Sequence, residues 1–166
     1  MKRLALGFTA LLGAAAGGAV VKKLWLEKYR QQKVELSLTE QERDLLHTWL
    51  LLEQRGVQVR RFFDARGYQS VAVFGMGRTG RRLADALGDM AAYGVELDNF
   101  GAVHERLTVY RLGDDPLPPA DCMVICDMGR IEEKQAAAQR EFPNNIVTLS
   151  EVLSWLSEQH NAASQT

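Results

Sequence analysis

The sequence predicts an α/β domain on a small parallel sheet of about five strands, in the order 3-2-1-4-5, preceded by a transmembrane helix and a helical segment. Three observations predict it. In residues 69–87, QSVAVFGMGRTGRRLADAL, a short apolar run stops at a glycine-rich turn and a helical pattern begins. Similar apolar runs recur at 93–97, 107–110, 122–126 and 146–149, with helical patterns after the last two. Residues 4–21 carry no charged side chain. The expected divisions are an anchor at 1–23, a helical linker or hairpin at 24–67, the α/β domain at 68–159 and a loose tail at 160–166.

As a helix, residues 4–21 would measure about 27 Å, just under the hydrocarbon thickness of a bilayer. Lys22, Lys23, Lys28, Arg30 and Lys33 follow, with Glu27 the one acid among them. Trp25 and Tyr29 sit a helical turn apart, where interfacial aromatics belong. The basic excess after the span places the C-terminal bulk in the cytoplasm, as a single-pass membrane protein. Small residues in the run also fit a cleaved signal peptide. The run continues straight into Lys22-Lys23, which favours an uncleaved anchor. Gly13 and Gly17 form G-x-x-x-G, a face through which two copies would pair as a homodimer. Small residues are also simply common in such spans.

Helix is expected to continue from 24 to 36. Thr39-Glu-Gln-Glu42 reads as a capping box opening another helix, whose apolar face is Leu45, Leu46, Trp49 and Leu50. His47 falls off that face and reads as solvated. Gly56 is a C-cap signal. A short helix then buries Val59, Phe62 and Phe63 and ends at Gly67. These helices are expected on the sheet edge or against a second copy.

The glycine turn is the chemical centre. Gly75-Met-Gly77-Arg-Thr-Gly80 is G-x-G-x-x-G between a strand and a helix, the context that makes the motif informative. Gly75 permits the tight turn, Gly77 lets a pyrophosphate approach the backbone, and Gly80 lets helix and strand pack closely. The N–H groups and positive dipole end at the helix start would hold phosphate. Met76, Arg78 and Thr79 complete the loop as candidate cofactor contacts. Arg78, Arg81 and Arg82 would pair with ligand phosphate, or form a solvated basic face.

Strand two, 93–97, ends in Asp98-Asn99. Asp98 lies 18 residues beyond Gly80, close to the spacing at which an acid binds a ribose hydroxyl. Asp98 and Asn99 are therefore candidate contacts; a turn before Gly101 is the plainer account of Asp98. About eight residues separate this strand from the run at 107–110, too few for a helical crossover. Strand three is thus short, or part of an edge hairpin. His104 in this gap reads as solvated. Strand four, 122–126, is apolar throughout, as the centre of a parallel sheet should be. Asp127 and Gly129 follow at its carboxyl end. That is the switch point between strands one and four, where open α/β sheets bind ligands. Helix capping accounts for Asp127 equally well. A helix to about 141, strand five at 146–149, and a last helix capped by Ser150 and carrying Val152, Leu153 and Trp155 complete the domain.

The net charge of −1 gives no global electrostatic case for nucleic acid. Cys122 and Cys126, four apart on one strand, lie roughly 13 Å from each other, too far for a disulfide. They read as small core residues. The sequence has no cluster of metal-ligand spacing, no nucleophile elbow and no Walker lysine. No catalytic residue is assigned, and no metal.

The block from 70 to 149 resembles the NAD(P)-binding Rossmann superfamily. GMGRTGR looks like the glycine loop of D-2-hydroxyacid-type dehydrogenases. The layout of membrane segment, VAVFGMGRTGRRL, VELDN and DCMVICD resembles the small Rossmann-like domains of membrane-bound sugar-nucleotide and polysaccharide-biosynthesis proteins of bacteria. The resemblance covers about half the chain. It implies a cytoplasm-facing accessory or sensor module binding NAD, NADP or another nucleotide, in cell-surface polysaccharide metabolism. The chain lacks the larger catalytic portion of those enzymes, and its α/β block has no Tyr-x-x-x-Lys pair. An oxidoreductase completed by a partner subunit and a non-binding structural protein are the alternatives.

Overall fold

The computed structural model describes residues 2–97, 104–114 and 116–164, with side chains from Trp25 onward except those of Gln32 and Glu35. It divides into two units, Met1–Glu40 and Gln41–Thr166. The expected membrane span and the Gly13/Gly17 face fall where side chains are not described. Among the described residues no helix is long and apolar enough to cross a membrane.

Helix α1, Lys2–Gln54, is continuous. This corrects the helix start expected at Thr39. No Gly or Pro occurs between Gly18 and Gly56, so nothing forces the chain out of helical geometry, and a capping-box pattern alone does not. In the first unit Trp25, Leu26, Tyr29, Val34 and Leu36 are exposed. Trp25 and Tyr29 stack at 5.7 Å, with the Lys33 ammonium 5.1 Å from the Tyr29 ring centre.

In the second unit the end of α1 is followed by α2, Arg60–Asp64, and then by alternating strands and helices. These are β1 (Val71–Phe74), α3 (Arg78–Leu87), β2 (Ala91–Glu96), β3 (Val109–Arg111), β4 (Cys122–Ile125), α4 (Ile131–Glu141), β5 (Asn145–Thr148) and α5 (Leu149–Ala163). The five strands form one parallel sheet in the order 3-2-1-4-5, as expected. β1 and β4 are buried along their whole length, which is why their sequences are unbroken apolar runs. Strand three is short and parallel to β2, with Gly94 opposite Val109; it is not a hairpin.

Both faces of the sheet are covered. Val71, Val73, Cys122 and Val124 share one apolar cluster with Leu83, Leu87, Val152 and Leu153 from α3 and α5. Leu45, Trp49 and Leu52 of α1 and Phe62 and Phe63 of α2 belong to that same cluster. These N-terminal helices therefore extend a face of the core and do not sit on the sheet edge. Leu50, expected on the buried face of α1, is 46% exposed; Leu52 takes the buried place. Ala72, Phe74, Met123 and Ile125 point the other way, with Ala138 of α4 and Phe142. Alternate residues of each strand thus feed opposite layers.

Two details at the C-terminal end differ from expectation. The cap of α5 is Thr148, not Ser150. The Thr148 hydroxyl accepts from Glu151 N–H at 3.2 Å, while Glu151 reaches back to Thr148 N–H at 2.6 Å. The last residue of β5 serves as cap, so strand passes into helix with no loop between. The helix also runs to Ala163, beyond the expected start of a loose tail at 160.

Candidate functional site

β1 and β4 are adjacent and parallel, so the turns leaving their carboxyl ends meet. Gly75, after β1, adopts φ +89°. A Cβ there would lie 2.9 Å from Asp127 Cβ and 3.1 Å from Asp127 N. The turn therefore needs glycine for its conformation and for the close approach of the next corner. Gly80 lies inside α3, where a Cβ would fall 2.0 Å from the Gly75 carbonyl oxygen. Helix and turn touch through bare backbone. Gly77 is different. It is the N-cap of α3, and a Cβ there would meet nothing within 4 Å. Packing requires glycine at 75 and 80. At 77 it leaves open space.

The first intrahelical bond at this end runs from Arg81 N–H to Gly77 O, 3.0 Å. N–H groups before it point out of the helix, as at any helix start. Helices usually meet this positive end with their own acids. α4 has Glu132 and Glu133 in its first turn, and α5 has Glu151. The first turn of α3 has no acid, and Gly77 provides no side-chain cap. Arg78, Arg81 and Arg82 occupy that end instead.

Carboxylates reach it from elsewhere. Glu96, the last residue of β2, accepts the Met76 N–H at 2.5 Å. Glu42 of α1 accepts the Thr79 hydroxyl at 3.0 Å, with the Arg78 guanidinium 3.9 Å away. Thr79 itself is buried. The other arginines are engaged within the protein. Arg81 Nε donates to Met76 O at 3.1 Å, bracing the loop, and Arg82 pairs with Glu53 at 2.6 Å. Arg78 is 85% exposed at its side chain, free to swing toward a ligand. The Met76 side chain is buried over β2, where a Cβ on Gly94 would lie 2.7 Å from it; only its backbone faces the turn.

The second corner, Asp127 to Arg130, is built from side chains. One Asp127 oxygen accepts Gly129 N–H at 2.9 Å, and the other pairs with the Lys134 ammonium. Lys134 is buried, with Asp127 half-exposed above it. Arg130 is the N-cap of α4 at φ 51°, a left-handed conformation unusual for a residue with a side chain.

Gly75, Met76, Gly77, Arg78, Thr79, Gly80 and Asp127 are thus brought together at the carboxyl ends of β1 and β4. Asp98 and Asn99 lie outside the described residues. Glu96, Glu42 and Lys134 were missed. Glu96 falls inside the run read as strand two, two positions before Asp98, and nothing local tells that it faces the Met76 N–H. Glu42 looked like half of a capping box, and nothing local tells that it faces α3. Lys134 shares a helical face with Ala138, the only hint that its stem is covered.

His104 is not solvated as expected. Its side chain is 7% exposed, with Nε2 3.5 Å from Asp85 Oδ1 and Arg106 on the same oxygen at 3.1 Å. Asp85 on α3 offers one carboxylate oxygen to both His104 and Arg106, and the chain folds onto it. Both cysteines are buried and unpaired with each other. Burial pushes the Cys122 thiol up to about 12, and burial with the nearby Asp127 charge pushes Cys126 higher still. Neither is a thiolate at neutral pH. Among the described residues no group of three or more His, Cys, Asp or Glu could hold a metal ion.

Fold and corner together define a class: a five-stranded parallel α/β domain with a glycine turn at its switch point. The comparisons go no further, for no protein-family model, curated protein or solved structure matches the chain.

Proposed function

We propose that this chain is a membrane-anchored, cytoplasm-facing Rossmann-like module that binds NAD, NADP or another nucleotide at the β1/β4 switch point. It would serve as an accessory or sensor module, with polysaccharide metabolism as the setting suggested by the sequence resemblance. The observation that carries the reading is the start of α3. Its N-terminal end has no acid of its own and an open approach over Gly77. Asp or Glu there would be stabilising, as Glu132, Glu133 and Glu151 are in α4 and α5. A ligand pyrophosphate over Gly77 would supply the missing negative charge. Glu96, at the end of β2, would accept ribose hydroxyls, the part first given to Asp98. Arg78 would reach the phosphates from the rim.

Titration of the full chain in detergent with NAD(H), NADP(H) and UDP-glucose tests the reading. Saturable binding by one of them, weakened at least tenfold by Gly77→Val, is the expected result. No binding at millimolar concentration by any would remove it.

A second reading has its own observation. Glu96 and Glu42 already place carboxylates at the loop and at the helix tip. On that reading the glycines serve packing alone and the protein is a structural or interaction module. Gly77→Val would then cost only a little helix stability and leave the protein's function unchanged.

A further inference from the structure

Glu42 reaches the first turn of α3 from outside the sheet and its loops. It lies on α1, and its Oε1 accepts the Thr79 hydroxyl at 3.0 Å and sits 3.9 Å from Arg78. Thr79 is in the first turn of α3 and buried, so its hydroxyl points along a fixed direction. The hydroxyl and the guanidinium that Glu42 meets, beside a helix start, are also groups that a phosphate would use. Glu42 supplies a single negative charge where a diphosphate would supply more. It is two-thirds buried at its side chain, so solvent screens it only partly.

We infer that Glu42 is a built-in competitor for the phosphate site, so that ligand binding and the Glu42–Thr79 contact exclude each other. This rests on the proposed nucleotide-binding reading and adds its regulation. An incoming phosphate group at the start of α3 meets a like charge unless Glu42 withdraws. The empty state is held by an acid that the protein already carries, and the bound state has to break that contact. Coupling is reciprocal: whatever holds Glu42 in place lowers ligand affinity, and ligand weakens the hold of α1 on α3 at this point. The device also accounts for why α3 has no acid of its own. A fixed acid in its first turn could not leave, whereas one borne on another helix can.

The test compares four versions of the full chain in detergent at low ionic strength: wild type, Glu42→Gln, Asp44→Asn and Thr79→Ser. Each is titrated with NAD and, separately, with inorganic pyrophosphate. Glu42→Gln keeps the shape and a hydrogen-bonding oxygen for Thr79 while removing the charge. It is expected to bind about tenfold more tightly than wild type, within the range of ordinary coupling between sites. Asp44→Asn removes an exposed acid of the same helix that pairs with Arg43, and should change affinity less than twofold. Thr79→Ser keeps the hydroxyl that Glu42 holds; a gain there as large as that of Glu42→Gln would overturn the competitor, since the charge would still be in place. Equal binding by wild type and Glu42→Gln would overturn it while leaving the binding site standing. An equal gain from Asp44→Asn would overturn it too, since the effect would then be general charge. Binding by no version, with thermal melting showing all four folded, would remove the nucleotide reading and this inference together.

Discussion

Two corners lie side by side at the carboxyl end of the sheet, and they are built by opposite means. The β4–α4 corner is closed by its own side chains. Asp127 ties Gly129 and Lys134, and Glu132 and Glu133 meet the helix dipole. The β1–α3 corner is made of bare backbone, with cations where acids would be stabilising and carboxylates borrowed from β2 and α1. The first meets its helix dipole with its own acids, although its N-cap, Arg130, is left-handed and makes no side-chain cap; the second has neither acid nor capping side chain. Local rule-breaking inside a consistent fold is where function is expected. The difference teaches that the glycine motif is informative through the close backbone packing and the open Gly77 it creates.

The sharpest way to break the comparison is at Gly80. A Cβ there would lie 2.0 Å from Gly75 O, backbone against backbone, with no flexible side chain to give way. Gly80→Ala should cost about 3 kcal/mol or more, or prevent folding, because turn and helix must separate. Urea unfolding of the variant beside wild type measures it. A loss below about 1 kcal/mol would mean that the two backbones are not packed as described.

Much of this was legible beforehand, and the reasons are local. β1 and β4 are buried on both faces, so their composition announces them. The motif announced the turn because φ +89° at Gly75 and the Gly80 contact both exclude side chains. Misreadings arose where a pattern has two meanings. Thr39 to Glu42 has capping-box spacing, but the same spacing puts two residues on one face of an unbroken helix. Ser150 looked like a cap because a loop was assumed, whereas β5 runs directly into α5. His104 looked solvated because its partner, Asp85, is on another element. Glu42 and Glu96 were invisible for the same reason: their partners are in the fold and not in the sequence nearby.

A smaller effect is expected from the other corner. Lys134 is buried, but its partner Asp127 is half-exposed. Lys134→Met keeps the stem and removes the charge. A fully buried pair would lose 3–5 kcal/mol, by general experience roughly. Here the orphaned carboxylate can turn to water, so about 1–2 kcal/mol is expected. If thermal unfolding shows no loss, the Asp127–Lys134 contact does not close the corner and the contrast with the glycine turn weakens.

Gly77→Ala separates packing from openness. A Cβ at 77 meets nothing, and its φ of −65° suits any residue. Stability should fall by less than about 1 kcal/mol, the difference between Gly and Ala at an N-cap. The same glycine-to-alanine change is thus expected to be severe at 80 and mild at 77. Calorimetry on both variants reads the pair directly, and similar losses at the two positions would erase the distinction between a packing glycine and an open one.

The smallest effect lies at the opposite end of the same two strands, where nothing is open. Asp121, just before β4, accepts Gln69 N–H at 2.8 Å, Ser70 N–H at 2.9 Å and the Ser70 hydroxyl at 3.0 Å. These bonds link the chain entering β1 to the chain entering β4, where Val71 pairs with Cys122. They hold the Asp121 carboxyl below the usual carboxylate range, backbone hydrogen bonds first. A group whose folded value is depressed stabilises the fold above its unfolded value, and that contribution is lost as pH falls through the folded one. Asp121 is fully exposed, so the effect is a modest steepening of the acid limb. Asp121→Asn should flatten that limb while leaving ligand affinity unchanged, since it lies at the amino ends of strands whose carboxyl ends carry the site. An unaltered acid limb in a melting series from pH 6 to pH 2 would show that the clasp holds no charge-dependent stability. A change in ligand affinity would show that the two ends of the sheet are not independent, and the contrast between corners would have to be extended to the whole β1–β4 pair.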